Sequence, residues 1–443
     1  MPRKTIIIFI SVFIVIAAIV FGIYFYSQSN NTANQNGNTT TGYQSFNPFG
    51  SGTTTQNPGN VGTTVQNTTT PPVTTPGQIA ISDSKFHQLT NFSVAGATFF
   101  EDTRPITATT PATATTTTPP VQKIDGKVVK TPVVTPLQKF ETVPALRYIE
   151  RVTGHIDEMY LDTKAVSIIS NSTIPAIYEG VFDSKASTVI YRYLSSDTND
   201  IESFMATLGG TQGEFLPPNI TDLSVSPDKS RFFYITQNQN GVTGTIRQFG
   251  QTKKTQVFTS SYTEWLSQWA GNQKVYLTTK ASYASTGNLF SLNTTTGTLT
   301  SLLGPIEGLT TLANNDGSQI LYSTSTTTGP VLSVFDVAKH VSTNLDVSGL
   351  PEKCVWSADN VTVYCAIPSN ISGQEYPDSW YQGTTSFNDS FIKINISTLQ
   401  QTTIADSNAG TVVDGTHLFL DDKEGELYFI NKKDSTLWSL DLN

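Results

Sequence analysis

Two cysteines are the residues whose spacing most clearly indicates chemistry. Cys354 and Cys365 flank the segment VWSADNVTVY and lie symmetrically about Asp359 and Asn360. Asp and Asn are common in tight turns, and a two-residue turn there would put the cysteines opposite each other on adjacent strands. If the chain is exported, as argued below, a Cys354–Cys365 disulfide is expected. The alternative is a pair of buried free thiols.

A segment rich in aromatic and acidic residues, EYPDSWYQG, is the candidate binding site. It places Tyr376, Trp380 and Tyr381 beside Asp378 on a predicted loop. Aromatic side chains with polar tips are enriched at interfaces, and their rings suit stacking on sugars. The sequence therefore predicts binding residues at Tyr376, Asp378, Trp380 and Tyr381. The alternative is that Trp380 packs back onto the neighbouring sheets and only holds the loop, since a long loop needs a small core.

Residue sets typical of catalysis are absent from the sequence. It contains no Gly-x-Ser-x-Gly, no His-Glu-x-x-His, no phosphate-binding glycine loop and no Cys-x-x-Cys. The histidines are scattered, and we interpret them as solvated or packed strand residues: His87, His155, His340 and His417. The sequence therefore predicts no catalytic residue, no metal, no cofactor and no enzymatic activity.

Seven tyrosines recur at a nearly constant spacing and predict the elements that position these residues. The steps between them are 43, 43, 42, 46, 42 and 64 residues: Tyr148, Tyr191, Tyr234, Tyr276, Tyr322, Tyr364 and Tyr428. Turn segments such as SPDKS, NNDGS and DDKEG end a few residues before their tyrosines. A period in the low forties, with four strand-like runs per repeat, is typical of propeller blades. The sequence predicts an all-β fold, a seven-bladed β-propeller with four-stranded antiparallel blades.

The ends of the repeat region predict how the ring closes. The last repeat supplies three strands before the sequence stops, and residues 85–91, KFHQLTN, form a strand-like segment without another role. We expect this segment to be the outer strand of the last blade, which removes the free sheet edge. Two insertions interrupt the period, at about 103–144 in blade one and about 369–388 in blade six. They follow first and second strands respectively, so they should decorate opposite faces of the disc.

Three segments carry a resemblance to a known family: SVSPDKSRFFYIT, NNDGSQILYSTS and VWSADNVTVYCAIP. Their pattern resembles the S-P-D-G-x-x-apolar-aromatic hairpin of the WD40-like repeats in TolB-type propellers. The resemblance covers roughly residues 79–443, although Lys229 stands where glycine is usual and the Gly-His and Trp-Asp dipeptides of true WD40 repeats are missing. It implies a propeller fold and a habit of binding partners, but no reaction.

The N-terminus predicts a membrane anchor. Residues 5–26 are 22 residues without a charge, which is long enough for a helix to span the hydrocarbon core. Arg3 and Lys4 precede this segment, and no Lys or Arg follows until Lys85. The positive-inside rule then leaves residues 1–4 in the cytoplasm and exports the rest. A cleaved signal peptide is the alternative, but the segment is long for one and lacks a small-x-small site.

The remaining composition predicts a linker and limits the partners. Residues 27–77 contain no charged residue, and their Thr, Asn, Gly and Pro content predicts a disordered linker to a propeller over 78–443. Charged residues make up only 14% of the chain and the formal net charge is −9, which argues against a nucleic-acid partner. We expect a single-pass cell-membrane protein with a cytoplasmic N-terminus and a periplasmic or surface-exposed propeller.

These features predict a membrane-anchored, extracytoplasmic propeller that acts as a non-catalytic binding or scaffold module for an envelope protein or a glycan. Two alternatives stay open. Asp222 and Glu264, near the start of first strands, favour a propeller enzyme that acts on sugars or peptides through its central channel. Without either activity, the chain would be a purely structural surface protein.

Overall fold

The structure is a computed structural model that describes residues 85–106, 139–210, 213–371, 375–406 and 412–443, with the backbone of 123–124 and 127–128. These residues belong to one compact unit, Pro48–Asn443. The predicted membrane helix at 5–26 and the predicted linker at 27–77 lie outside the described residues. Within the described ranges, no helix is both long enough and apolar enough to cross a membrane.

Seven four-stranded antiparallel sheets form the propeller, as the sequence predicts. The first strand of the described chain is β1 (Phe86–Gln88), which belongs to blade seven. Blade one contains β2 (Val94–Pro105), β5 (Phe140–Glu150), β6 (Ile156–Tyr160) and β7 (Val166–Ser170). Between β2 and β5, β3 (Lys123–Ile124) pairs with β4 (Lys127–Val128).

The next three blades are consecutive antiparallel meanders. Blade two contains β8 (Ile177–Phe182), β9 (Thr188–Leu194), β10 (Ile201–Thr207) and β11 (Gly213–Phe215). Blade three contains β12 (Ile220–Val225), β13 (Arg231–Asn238), β14 (Gly241–Gln248) and β15 (Lys254–Ser260). Blade four contains β16 (Trp265–Ala270), β17 (Lys274–Thr279), β18 (Thr286–Asn293) and β19 (Leu299–Glu307).

The last three blades complete the ring. Blade five contains β20 (Thr310–Ala313), β21 (Gln319–Thr326), β22 (Gly329–Asp336) and β23 (Val341–Ser348). Blade six contains β24 (Cys354–Trp356), β25 (Thr362–Pro368), β26 (Asp389–Asn395) and β27 (Gln400–Asp406), preceded by a 3₁₀ turn, Pro351–Lys353. Blade seven contains β28 (Gly415–Leu420), β29 (Glu426–Asn431), β30 (Leu437–Asp441) and β1.

The ring closes through the strand that the sequence predicts. Phe86 lies opposite Leu440 and Gln88 lies opposite Trp438, so β1 is the outer strand of blade seven. Phe86 is buried, and its ring packs against Phe391 of blade six at a centroid distance of 5.5 Å. The N-terminal strand is therefore bonded to the last blade and packed against the blade before it.

The repeated tyrosines and turns explain why each period forms a blade. Every one of the seven tyrosines is buried on the second strand of its blade. In blades two to seven, the turn before that strand holds a residue at positive φ: Ala186, Lys229, Gly271, Gly317, Asn360 and Glu424. In one contact between blades, the Tyr276 hydroxyl donates to the carbonyl oxygen of Gly317 over 2.5 Å. The period thus combines a turn that reverses the chain with an aromatic ring that packs between sheets.

Cys354 and Cys365 form a disulfide, as predicted, across the first two strands of blade six. Their Cα atoms are 4.0 Å apart, which matches the narrow type of antiparallel pair. The predicted symmetry about Asp359 and Asn360 holds, but the turn is longer than two residues. The Ser357 amide still pairs with the Thr362 carbonyl, so four residues connect the strands.

Strand direction gives the disc two distinct faces. We call the face where the first, inner strands begin the front face, and the face where they end the back face. Connections between second and third strands lie on the front face, and those between first and second strands lie on the back face. The blade-six insertion between β25 and β26 is therefore on the front face. In blade one, β2 and β5 remain paired as far as Pro105 and Phe140, so the paired strands extend into the predicted insertion on the back face.

We expect Phe86→Ala to lower the free energy of unfolding by about 3–5 kcal/mol, because it empties a buried site between the last two blades. Phe215→Ala is the matched control, since Phe215 also lies on an outer strand but is 52% exposed. Urea unfolding of both variants, followed by tryptophan fluorescence, measures the difference. Equal losses in the two variants would contradict a special role for β1.

Candidate functional site at the channel mouth

The predicted binding loop is folded onto the front face. Its short helix, α1 (Asp378–Tyr381), presents Trp380 inward, and Trp380 is 4% exposed. Tyr376 is fully buried and packs with Leu350, Trp380 and Phe387 in a small apolar cluster. For Tyr376 and Trp380, the structure corresponds to the alternative interpretation, in which the aromatic rings hold the loop.

Three buried charges lie beneath this apolar cluster. The side chains of Lys353, Asp389 and Asp414 are all 0% exposed. The Lys353 ammonium lies 2.8 Å from Asp389 Oδ2 and 2.5 Å from Asp414 Oδ1, and it also donates to the Gly415 carbonyl. All three N–H donors of the ammonium are therefore used. The centroids of the Trp380 and Phe387 rings lie 5.1 and 5.3 Å from Lys353 Nζ. This ion cluster joins the start of blade six to the start of blade seven.

The two carboxylates of the ion cluster titrate differently. Burial raises the pKa of Asp389 to about 6, although Lys353 acts in the opposite direction. Burial also opposes ionisation of Asp414, but Lys353 and hydrogen bonds from Phe387 and Trp380 lower the pKa of this carboxyl below its usual value. Asp414 therefore forms the stable ion pair with Lys353, and it also binds the loop directly.

The remaining two predicted residues also contact the disc. Asp378 accepts hydrogen bonds from Ser282 Oγ, at 3.0 Å, and from the Tyr283 amide, so the loop reaches blade four. Tyr381 is 39% exposed, and its hydroxyl donates to Glu352. Of the four predicted residues, Tyr381 has the greatest access to solvent. A role of these four residues in binding stays a prediction.

The front end of the central channel brings together charged residues from three inner strands, and we call this place the channel mouth. Its members are Glu179 of β8, Asp222 of β12 and His417 of β28. Each of these strands has a register shift at this end, and β-bulges redirect side chains away from regular alternation. Sequence analysis selected Asp222 but paired it with Glu264, which is exposed and lies 3.3 Å from Lys280.

Arg192 links Glu179 to the strand that bears Asp222. Arg192 Nη1 donates to Glu179 Oε2 at 2.7 Å, and its Nη2 donates to the Ile220 carbonyl on the strand that bears Asp222. Asp222 Oδ2 accepts from the Ser267 amide and hydroxyl at 2.7 and 2.5 Å. Burial raises the pKa of Asp222 to about 6, despite these hydrogen bonds, and Glu179 acts in the same direction. Asp222 can therefore change its charge within the physiological pH range.

His417 faces the same group from blade seven. It lies at positive φ, 52°, and it is exposed. Desolvation by the surrounding protein is the main effect, and it lowers the pKa of His417. Glu179 opposes this shift, and Arg151 adds to it. His417 of blade seven and Glu179 of blade two therefore influence each other electrostatically. No local sequence pattern identifies His417, Glu179 or Arg151 as site residues, because the three lie far apart along the chain.

At the back end of the channel lies Lys229, the residue that departs from the family pattern. It has a φ of 50°, a conformation that glycine adopts readily, which explains why glycine is usual there. Its ammonium donates to Thr98 Oγ1 of blade one over 2.7 Å, past the inner strand of blade two. Burial lowers the pKa of Lys229, and Asp422 and Asp183 oppose this effect. The two ends of the channel therefore differ in chemistry.

The described part of the chain contains no group of three or more His, Cys, Asp or Glu residues arranged to hold a metal ion. Glu179, Asp222 and His417 are thus not a metal site of that kind. What they offer are hydrogen-bonding atoms, which suit a polar organic ligand.

Comparisons with known proteins identify similar folds. No family model matches the chain, and no curated protein matches it. Among solved structures, TolB from Acinetobacter baumannii is 12% identical, with a TM-score of 0.40 over 59% of this chain and 62% of TolB. Oligogalacturonate lyase from Vibrio parahaemolyticus is 8% identical, with a TM-score of 0.47 over 79% of this chain and 99% of the lyase. A structure from a study of two prolyl endopeptidases is 10% identical, with a TM-score of 0.44 over 65% of this chain and 45% of that one.

These similarities concern the fold alone. The chain spans about three fifths of TolB, and the predicted TolB-type resemblance is confirmed only as a seven-bladed propeller. The prediction that the chain is not an enzyme is corrected by the same comparison, because oligogalacturonate lyase and prolyl endopeptidases are propeller enzymes. A propeller of this kind therefore does not support a non-enzymatic assignment.

We expect Lys353→Met to lower the free energy of unfolding by about 3–5 kcal/mol, because it leaves two buried carboxylates without their counter-charge. Lys280→Met is the control, since Lys280 forms an exposed pair with Glu264 and should cost about 1 kcal/mol or less. Urea unfolding of both variants measures the difference. A loss as small as that of the control would mean that the ion cluster does not hold the loop.

Proposed function

We propose that this chain is an extracytoplasmic binding protein that takes a glycan at the channel mouth. The proposal is supported by one observation: three inner strands each carry, near their start, a side chain with an atom free to bind, and Glu179 acts electrostatically on both Asp222 and His417. Glu179 Oε1, Asp222 Oδ1 and His417 Nε2 have no hydrogen-bond partner among the described residues. Their other polar atoms are fixed by Arg192, Ser267 and Thr416. Such preorganised acceptors and donors match the hydroxyl groups of a sugar.

Tyrosine rings around the mouth support a sugar as the ligand. Three described tyrosines are more than a third exposed, and each belongs to the front face: Tyr178, Tyr262 and Tyr381. Tyr178 precedes Glu179 on β8, Tyr262 packs on Trp265 at the start of β16, and Tyr381 bonds Glu352 before β24. Each ring therefore lies near the start of an inner strand. Rings with an apolar face and a polar tip suit the apolar faces and hydroxyl groups of sugars.

The location of this activity follows from the N-terminal sequence. An anchor at residues 5–26 and a linker at 27–77 would hold the propeller outside the cytoplasm. A cell-envelope glycan is the partner that this location favours. A protein partner bound through the blade-six loop is less favoured, because Tyr376 and Trp380 are buried.

A second candidate function is catalysis on the bound sugar at the same place. It is favoured by the carboxylates Glu179 and Asp222, because different environments suit two carboxylates to different roles in acid–base catalysis. Glu179 is paired with Arg192, whereas burial raises the pKa of Asp222 to about 6. A protonated Asp222 could donate a proton to a leaving group. Release of reducing sugar ends from a bound glycan by the wild-type protein, lost in Asp222→Asn, would favour catalysis over binding alone.

We expect Glu179→Gln and Asp222→Asn each to weaken glycan binding at least about tenfold, because each removes a charge-assisted acceptor at the mouth. Glu264→Gln is the control, since Glu264 lies on the same face outside this group. Binding of the purified propeller to immobilised neutral and acidic oligosaccharides measures the effect. Failure of the wild-type protein to bind any of them, or an equal loss in the control, would overturn the proposal.

We also expect glycan affinity to fall as the pH drops through about 6. Asp222 is ionised above its pKa of about 6 and protonated below it, so its acceptor strength is lost on acidification. The affinity of Asp222→Asn should change less over pH 5–8, because its amide does not titrate there. Titration calorimetry at several pH values gives both profiles. Parallel profiles would exclude Asp222 as the group responsible.

A further inference from the structure

Arg151 is held at the channel mouth by its backbone. It directly follows β5, and its amide donates to the Ser93 carbonyl over 2.8 Å. Its own carbonyl accepts from the Ile177 amide at 3.1 Å, at the start of β8. The residue is therefore fixed between the first strands of blades one and two, on the front face.

The guanidinium of Arg151 has no hydrogen-bond or ion-pair partner among the described residues. Its Nε is buried without a hydrogen bond, and neither terminal nitrogen bonds to any described residue. Every other described arginine donates to a carboxylate or a carbonyl: Arg104, Arg147, Arg192, Arg231 and Arg247. Arginine stays charged in proteins, so Arg151 carries an unpaired positive charge in a partly buried place. Its hydrogen-bonding capacity is therefore open to a partner that is not among the described residues.

The neighbours of Arg151 do not neutralise it. Burial lowers its pKa, and the only side chain that acts in the opposite direction is Tyr178, not a carboxylate. Arg151 also lowers the pKa of His417, as a nearby positive charge does. Glu179 forms an ion pair with Arg192, whose Nη1 lies 2.7 Å from Glu179 Oε2. The mouth therefore has a cationic side at Arg151, separate from the acceptors Glu179 and Asp222.

We propose that Arg151 binds an oxyanion carried by the ligand, so that the glycan recognised at the channel mouth is an acidic one. This inference rests on the proposed function, because it assigns a further group to the same ligand. The planar guanidinium donates two parallel hydrogen bonds to a carboxylate, sulfate or phosphate. Hydroxyl groups on the same ligand would then face Asp222 and His417, and an adjacent sugar ring would lie near Tyr178.

The test compares probes that differ only in charge. Titration calorimetry is run with a glucuronic-acid disaccharide, its carboxyl-reduced neutral form, and the neutral form carrying one sulfate. The measured quantity is the affinity for a charged probe divided by the affinity for the neutral probe. A substitution that weakens all binding equally leaves this ratio unchanged, so the ratio measures only the contribution of the anion. We expect the wild-type protein to prefer at least one charged probe by about tenfold or more. Whether the protein prefers the carboxylate probe or the sulfate probe shows which of these two oxyanions it binds.

Two substitutions make this preference specific to Arg151. Arg151→Met should reduce the ratio to about twofold or less, and Arg151→Lys should retain only part of it, since lysine keeps the charge without the planar fork. Arg231→Met is the matched control, because Arg231 lies at the back face and stacks on Trp269 at 4.8 Å. Its ratio should equal that of the wild type. Near-ultraviolet circular dichroism confirms that each variant is folded.

The outcomes separate this inference from the proposed function. If the wild-type protein binds charged and neutral probes equally, Arg151 does not read an anion, although a glycan site at the mouth stands. If the preference survives in Arg151→Met, another group is responsible and the inference is overturned. If the wild-type protein binds none of the probes or of the immobilised oligosaccharides, both proposals fail. A preference lost in Arg151→Met and retained in Arg231→Met supports the assignment.

Discussion

Closure of the ring is the constraint on which the other features depend. Three residue pairs between β1 and β30 complete blade seven from both ends of the described chain. Blade seven can then pack against blade one, and Tyr148, Ile430 and Leu437 share one buried cluster across that junction. The channel mouth draws its residues from blades seven, one, two and three. Without the closing pairing, His417 and Arg151 would have no fixed relation to each other.

Within the closed ring, charge is used in two different ways. In the ion cluster, Lys353 donates all its hydrogen bonds to Asp389, Asp414 and a backbone carbonyl. Two aromatic rings cover the cluster and exclude water from it. Such a cluster specifies one arrangement of the loop and the neighbouring strands, and its side chains are fully buried, out of reach of a ligand. At the channel mouth, the charged groups keep free atoms and contact solvent. Complete burial is typical of structural ion pairs, whereas accessible atoms without a partner are the reason for the binding site proposed at the channel mouth.

Much of the architecture could be predicted from the sequence, because local chemistry repeats with the blades. The tyrosine period, the turn residues and the unassigned strand near residue 86 are local signals, and they predicted seven blades and the closure. Cys354 and Cys365 could be paired because one turn sets their register. The exposure of Trp380 could not be predicted in the same way, because its partner Asp414 lies 34 residues further along the chain. Asp222 was selected from the sequence, but Arg151, Glu179 and His417 were missed for a related reason: the closed ring, not spacing along the chain, puts them on one face near the channel.

The placement of the closing strand also has a mechanical consequence. Any tension applied through the chain before Lys85 reaches the ring through β1, whose three residues pair with the strand next to the C-terminal end. The load would thus act first on a short outer strand, which β30 and β29 separate from the inner strand β28 of the same blade. Peeling of β1 would remove the outer strand of blade seven and expose the edge of β30. A pull from the N-terminal side would thus be borne by the same pairing that closes the ring.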